Sequence, residues 1–325
     1  MQKFRFLFFL VLLVLFIPKE TANAWGFFGH QKINNMAVYT LPSDLIGFYK
    51  QHLSYISKHA VDADKRRYSD AKEAPRHYID IDHYGVYGFD SMPHKWKDAV
   101  AKYSEDTLIA YGIVPWYIEK MLYQLTAAFK AQNLDLILYY SAFIGHYIAD
   151  AHVPLHTTEN YNGQLTNQKG IHALWESRIP ELNAQDYNYW LGAATYIEDP
   201  STAIWQIVAS SHKAVDSVLK LEATLSATYP SDKKYSFENR GRKMTKVYSK
   251  EYSKAYNELL KGMVERKMRE AIFSVGSFWY TAWVNAGKPN LTLLKGKPIS
   301  DSLKNINKEE PSFDLRKKVR VEDHE

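Results

Sequence analysis

A chain of 325 residues with a formal charge of +5, 12 histidines and no cysteine cannot use disulfides, thiolate metal ligands or a cysteine nucleophile. The small positive balance does not require a nucleic-acid partner, and it would not repel an anionic substrate. Aromatic residues make up 14%, with 24 tyrosines, which points to rings packed in one substantial core.

Residues 1–24 carry the marks of a secretory leader. Lys3 and Arg5 open it, residues 6–17 are apolar, and Ala22-x-Ala24 is a small-residue cleavage signal. Twelve apolar residues fall short of the ~20 that span a bilayer. No later stretch is long enough either, so the chain is expected to be secreted or periplasmic. Losing 24 of 325 residues would leave 301, a charge of about +3, and Trp25 as the new terminus. An α-amino group titrates near ~7.7–8.0 and deprotonates readily into a metal ligand, and His30 follows five residues later. The plainer reading of Trp25 is an aromatic core residue behind a leader.

Residues 43–60 start with Ser43 as a cap after Pro42 and set Leu45, Phe48, Tyr49, Leu53 and Ile56 on one helical side. Pro115 suits the first turn of a helix running through Met121, Leu125 and Phe129. Residues 134–152 form a strongly apolar helix ended by Pro154. Residues 201–229 and 245–286 are two further long helical stretches, the second bent near Gly276. No sustained period-two alternation is present, so the expected fold class is all-α, one domain over residues 25–294 with loops at 85–93 and 157–170. From Lys295 the charges interleave, and residues 295–325 read as a polar, solvated tail.

The chemistry gathers in a few short segments. His146 and Asp150 lie four apart on one helical face, and Pro154 lets His156 turn back toward them. His172 and Glu176 repeat the spacing, and upstream stand Asp62, Asp64 and Arg76-His77-Tyr78-Ile79-Asp80. Each pair alone fits an ordinary salt bridge. Four His/acid clusters, counting His30, fit zinc better, because zinc takes mixed nitrogen and oxygen ligands. His52, His59 and His212 fall on predicted helices outside the clusters, His152 would face away from Asp150, and His83 and His94 flank a loop. No phosphate-cradling glycine loop or serine nucleophile motif competes.

In order and spacing, Trp25 with His30, Ala63-Asp64, His77-Tyr78-Ile79-Asp80, His146-x3-Asp150-x5-His156 and His172-x3-Glu176 resemble a trinuclear zinc site. That site is shared by zinc-dependent bacterial phospholipases C and the single-strand-specific zinc nucleases of fungi and plants. The likeness covers residues 25–176 and implies the multi-helix single domain of those enzymes, with three Zn2+ ions. One would be held by Asp64, His77, His146 and Asp150. A second would take the amino nitrogen and carbonyl of Trp25, His30, and Asp150 as a bridge, and a third would take His156, His172 and Glu176. The family's Ala-Asp pattern favours Asp64 over its rival Asp62. The implied reaction is attack on phosphorus by a metal-bridging hydroxide, since zinc lowers the pKa of water from ~15.7 toward ~7. Asp150 and Asp80 are the catalytic candidates, Asp80 as a contact to a ligand or to substrate, and Tyr78 would stack or pack.

The substrate is divided between the two enzyme groups. The Trp-x4-His spacing and the Asp150-x-His152-x-Pro-Leu-His156 wording lean toward nuclease. Glu176, the absence of cysteine and a 157–170 segment without Gly-Gly-Asn lean toward phospholipase. The expectation is an exported phospholipase C-like phosphodiesterase, with a single-strand nuclease or nucleotidase as the alternative. An exported helical protein with structural zinc stands third. Phospholipid or single-stranded nucleic acid would be the substrate, and no obligate protein partner is implied.

Overall fold

The computed structural model describes residues 26–85, 88–240, 243–300 and 303. The expected leader, Trp25 and most of the expected tail lie outside the described residues. The fold is all-α apart from one hairpin, and its centre is the helix Leu134–Ala151. Every residue from Ser141 to Ala151 is buried, the mark of a helix wrapped on all sides rather than on one stripe. Val114–Lys130 folds back along it across residues 131–133, with Met263–Asn285 and Gly26–Ala37 packed on other sides. Asn133 caps the central helix by accepting from the Leu136 N–H at 3.1 Å.

Close approach fixes the first helix. A Cβ at Gly145 would lie 2.2 Å from Asn34 Oδ1, so only glycine lets Gly26–Ala37 come this near. Asn34 Nδ2 then donates to the Ala142 carbonyl at 3.0 Å. His30, one turn before Asn34, is thereby set beside His146. On the far side of the core, the buried Trp279 stacks on Tyr49 at 4.8 Å and donates its Nε1–H to Ser141 O at 3.0 Å. A fully buried large apolar side chain contributes about 1.5–3 kcal/mol, so this core does not depend on the polar centre described below.

Several expected boundaries differ. Residues 43–60 break at His52 into Ser43–Gln51 and Leu53–Lys58, and Pro42 rather than Ser43 holds the cap position. Residues 201–229 divide at Lys213-Ala214 into Pro200–His212 and Val215–Thr228. The third long stretch breaks at Lys261 and Gly262, whose φ values are 49° and 75°, and not at Gly276. Gly276 lies inside the unbroken helix Met263–Asn285 because a Cβ there would sit 2.0 Å from Thr40 Oγ1. The antiparallel hairpin of β1 (Tyr235–Arg240) and β2 (Lys243–Tyr248) replaces helix at the start of that stretch. Its sequence signal was Tyr, Phe, Thr, Val and Tyr on either side of a two-residue link containing glycine. Described residues beyond Lys295 still touch the body, since Leu303 is buried and the Ser300 N–H donates to Asp135 Oδ1 at 3.2 Å.

Candidate metal centre

Six segments deliver the polar centre. Gly26–Ala37 carries His30, Asp62–Arg66 carries Asp64, and His77 follows the 3-10 turn Ala74–Arg76. The central helix carries His146 and Asp150, one turn apart. Pro154 starts a 3-10 turn that ends the helix and swings His156 back. His172 sits on Ile171–Ala173, which widens into the π-helix Leu174–Arg178 carrying Glu176. Such widened turns concentrate at functional sites.

All eight expected ligands among the described residues converge, and all are buried. They form four overlapping groups whose ligand atoms lie within 4.8 Å of one another: His30/Asp64/His146, His77/His146/Asp150, His156/His172/Glu176 and His30/Asp150/Glu176. In the second group, His77 Nδ1 lies 2.9 Å from Asp150 Oδ2 and 3.0 Å from His146 Nε2, which is itself 3.2 Å from Asp150 Oδ2. Ligands around one tetrahedral zinc with bonds of ~2.0–2.1 Å stand about 3.3 Å apart. Asp150 Oδ1 turns the other way, 3.3 Å from His30 Nε2. In the third group His156 Nε2 lies 3.3 Å from Glu176 Oε2, which also contacts His172 Nε2.

The outer nitrogens are held by the backbone. His146 Nδ1–H donates to Ala60 O and His156 Nδ1–H to His77 O, each at 2.7 Å. Both rings therefore turn an Nε2 lone pair inward, the arrangement that metal-ligating histidines adopt. Neither ring nitrogen of His30, neither oxygen of Asp64, nor Asp150 Oδ1 has a hydrogen-bond partner. Three carboxylates this deep need compensating charge, and a divalent cation among these oxygen and nitrogen donors would supply it.

Electrostatics divide the imidazoles. Burial, then the neighbouring His146, holds His30 below the ordinary histidine value. For His146, burial is outweighed by Asp150 and Asp64, and its pKa is pushed up to about 9. Burial also opposes ionisation of Asp150 and Glu176, yet adjacent imidazoles hold both carboxyls down. The His146 proton stabilises the metal-free fold fully below ~6.5, and that contribution disappears as pH rises through about 9. A metal must displace the same proton, so zinc uptake near neutral pH is expected to release protons, with affinity climbing toward pH 9. Calorimetry in buffers of differing ionisation enthalpy counts them; uptake with no proton release would contradict this charge state.

Geometry separates the two rival aspartates. Asp62 is engaged by His59 Nδ1 at 2.5 Å and Lys65 Nζ at 2.9 Å, whereas Asp64 Oδ1 faces His146 Nε2 at 3.7 Å and His77 Nδ1 at 3.9 Å. Asp80 is buried, and its N–H donates to Tyr111 O at 2.8 Å, but its carboxylate belongs to none of the four groups. Tyr78 is fully buried and packs under Gly112. His83 stacks on Tyr111 and His94 on Trp205. His152 is buried and meets Ser274 Oγ at 3.1 Å. His212, expected to be a bystander, donates from Nδ1 to Thr157 O at 2.9 Å and so anchors the residue after His156. The sequence reading also gave no role to Glu73, Arg66, Arg76 and Tyr147, a largely buried network behind His77. The available signal was Glu73-x3-His77, the same four-residue spacing as the ligand pairs.

The family model described as S1/P1 Nuclease matches residues 25–272. Among solved structures, the chain is similar to the alpha-toxin of Clostridium perfringens from an avian strain, with a TM-score of 0.51 and 13% identity over 84% of this chain and 66% of that one. Alpha toxin from Clostridium absonum gives a TM-score of 0.46 and 10% identity over 82% and 65%. The chain thus spans just under two thirds of either structure, and the first likeness establishes a shared fold alone. A search of curated protein sequences gives no match.

Proposed function

Because the chain belongs to the S1/P1 nuclease family, we propose that it is an exported, zinc-dependent phosphodiesterase whose reaction runs at the buried His/Asp/Glu centre. The convergence of eight ligand-type side chains in overlapping groups carries this reading. Asp64, His77, His146 and Asp150 would hold one ion. His30, Asp150 and the amino end of Trp25 would hold a second, and His156, His172 and Glu176 a third. Zinc bound there would supply water ionised near neutral pH and positive charge for a phosphoryl group.

The chain's own contribution is preorganisation. The Ala60 and His77 carbonyls hold the Nδ1–H groups of His146 and His156, so both rings face the centre with Nε2 before any ion arrives. Asp150 addresses two groups through its two oxygens. Asp82 accepts from Thr158 Oγ1 at 2.6 Å and from the Glu159 N–H at 3.0 Å, which pins the 157–170 loop where it leaves His156. That loop's Tyr161 ring lies 6.2 Å from His172, a place where it would border substrate.

Family membership puts single-stranded nucleic acid or a nucleotide first as substrate. Phospholipid is the second reading, favoured by Glu176 and by the 157–170 segment without Gly-Gly-Asn. The test uses zinc-loaded protein beginning at Trp25, assayed on single-stranded DNA and on phosphatidylcholine vesicles, each with a chelated control. Chelator-sensitive DNA cleavage as the faster reaction supports the first reading. Faster phosphocholine release would replace it with the phospholipase, and no turnover of either with metal bound would leave zinc as structural.

A further inference from the structure

His77 is mounted the opposite way from its neighbours. His146 and His156 turn Nε2 toward the centre, with Nδ1–H on a backbone carbonyl. His77 turns Nδ1 inward, 2.9 Å from Asp150 Oδ2 and 3.0 Å from His146 Nε2, so its ring proton must sit on Nε2 if Nδ1 is to ligate. On that side Nε2 has no hydrogen-bond partner. Glu73 faces it at ion-pair distance, with Oε1 3.6 Å from His77 Nε2, and both side chains are wholly buried.

Glu73 is held in place from three other directions. Arg66 Nη2 donates to its Oε2 at 2.9 Å and Arg76 Nη1 at 2.5 Å, while the Tyr147 hydroxyl donates to Oε1. Arg66 lies 4.3 Å over the Phe143 ring and Arg76 4.7 Å over Tyr117, so neither guanidinium is at liberty to swing away. A buried carboxylate fixed by two arginines stays anionic. Asp150, 2.9 Å from Nδ1, competes for the ring proton until an ion takes that nitrogen; with Nδ1 on the ion, the proton belongs on the Nε2 side, which Glu73 faces.

We propose that Glu73 is a positioning residue for the metal centre: held by Arg66, Arg76 and Tyr147, it keeps the His77 proton on Nε2 and presents Nδ1 to the ion. A merely structural ion pair would stabilise the fold without selecting a tautomer or a site. The inference rests on the zinc reading.

The primary test is 15N NMR of the His77 ring in zinc-loaded wild-type protein beginning at Trp25. Zinc on Nδ1 with the proton on Nε2 is the expected state, and zinc on Nε2, or a His77 ring that stays unligated in zinc-loaded protein, would overturn the proposal. Zinc titration against a competing chelator then compares wild type with Glu73→Gln. The expected result is a 10–100-fold loss of affinity at one site, with the site of His156, His172 and Glu176 unchanged. Glu73→Asp, which keeps the charge but shortens the reach, should fall between the two and serves if the glutamine variant does not fold. Equal zinc affinity in folded variants would overturn the role. Failure of wild type to bind zinc would refute the metal reading and this role with it, an outcome distinct from equal affinities in the variants.

Discussion

Asp150→Asn is expected to lower chelator-sensitive phosphodiester hydrolysis by ~10³-fold or more, about 4 kcal/mol of barrier at 1.36 kcal/mol per tenfold. The argument is geometric. Asp150 Oδ2 lies between His77 Nδ1 and His146 Nε2, at 2.9 Å and 3.2 Å, while Oδ1 faces His30 Nε2 at 3.3 Å. One carboxylate thus serves two of the converging groups. An amide of the same shape removes the charge that would join two cations and places N–H hydrogens against nitrogen lone pairs. Asp62→Asn is the matched control, because Asp62 shares the short helix with Asp64 yet is already engaged by His59 and Lys65, and its rate should stay near native. A chromogenic bis-aryl phosphate reads the rate without committing to a biological substrate, and elemental analysis reads the metal content. Native activity in a folded Asp150→Asn protein would remove Asp150 from the centre. Inactivity of the Asp62 variant would reopen the choice between the two aspartates.

The parts of this centre that were legible in the sequence are local ones. His146 with Asp150 and His172 with Glu176 share helical faces by spacing alone, and Pro154 signals the turn that returns His156. The helical class was legible because apolar residues recur at helical spacing in stretches such as residues 114–130. Breaks were not, because His52 and Lys213-Ala214 interrupt helices without glycine or proline, and the glycine that drew notice at 276 is there for contact with Thr40. The hairpin escaped because its strands carry Phe237 and Met244 outward, both exposed, which blurs the inside–outside alternation. Glu73 was not legible as a participant because, although Arg76 is three residues on, Arg66 and Tyr147 meet it only through tertiary packing.

Exhaustive metal removal is expected to lower the thermal midpoint by roughly 10 °C or more for each tightly held site, while helical circular dichroism persists at room temperature. A ligand that binds only the folded state adds about 4.1 kcal/mol at a thousandfold excess over its Kd, and a domain of this size shifts by ~2–4 °C per kcal/mol. The large effect follows from what the ions would leave behind: His30, Asp64 and Asp150 Oδ1 buried without hydrogen-bond partners in the protein. Helical signal survives because Trp279, Tyr49 and Phe129 belong to an extensive buried core whose residues supply none of the ligand atoms. The pH dependence gives an internal control. Metal-free protein should lose stability as pH rises from ~6.5 toward 9, as the His146 proton departs, while the stabilisation added by zinc should grow over the same interval. A midpoint indifferent to metal at every pH would show that the buried carboxylates are compensated by protons alone, and the centre would then not be a metal site.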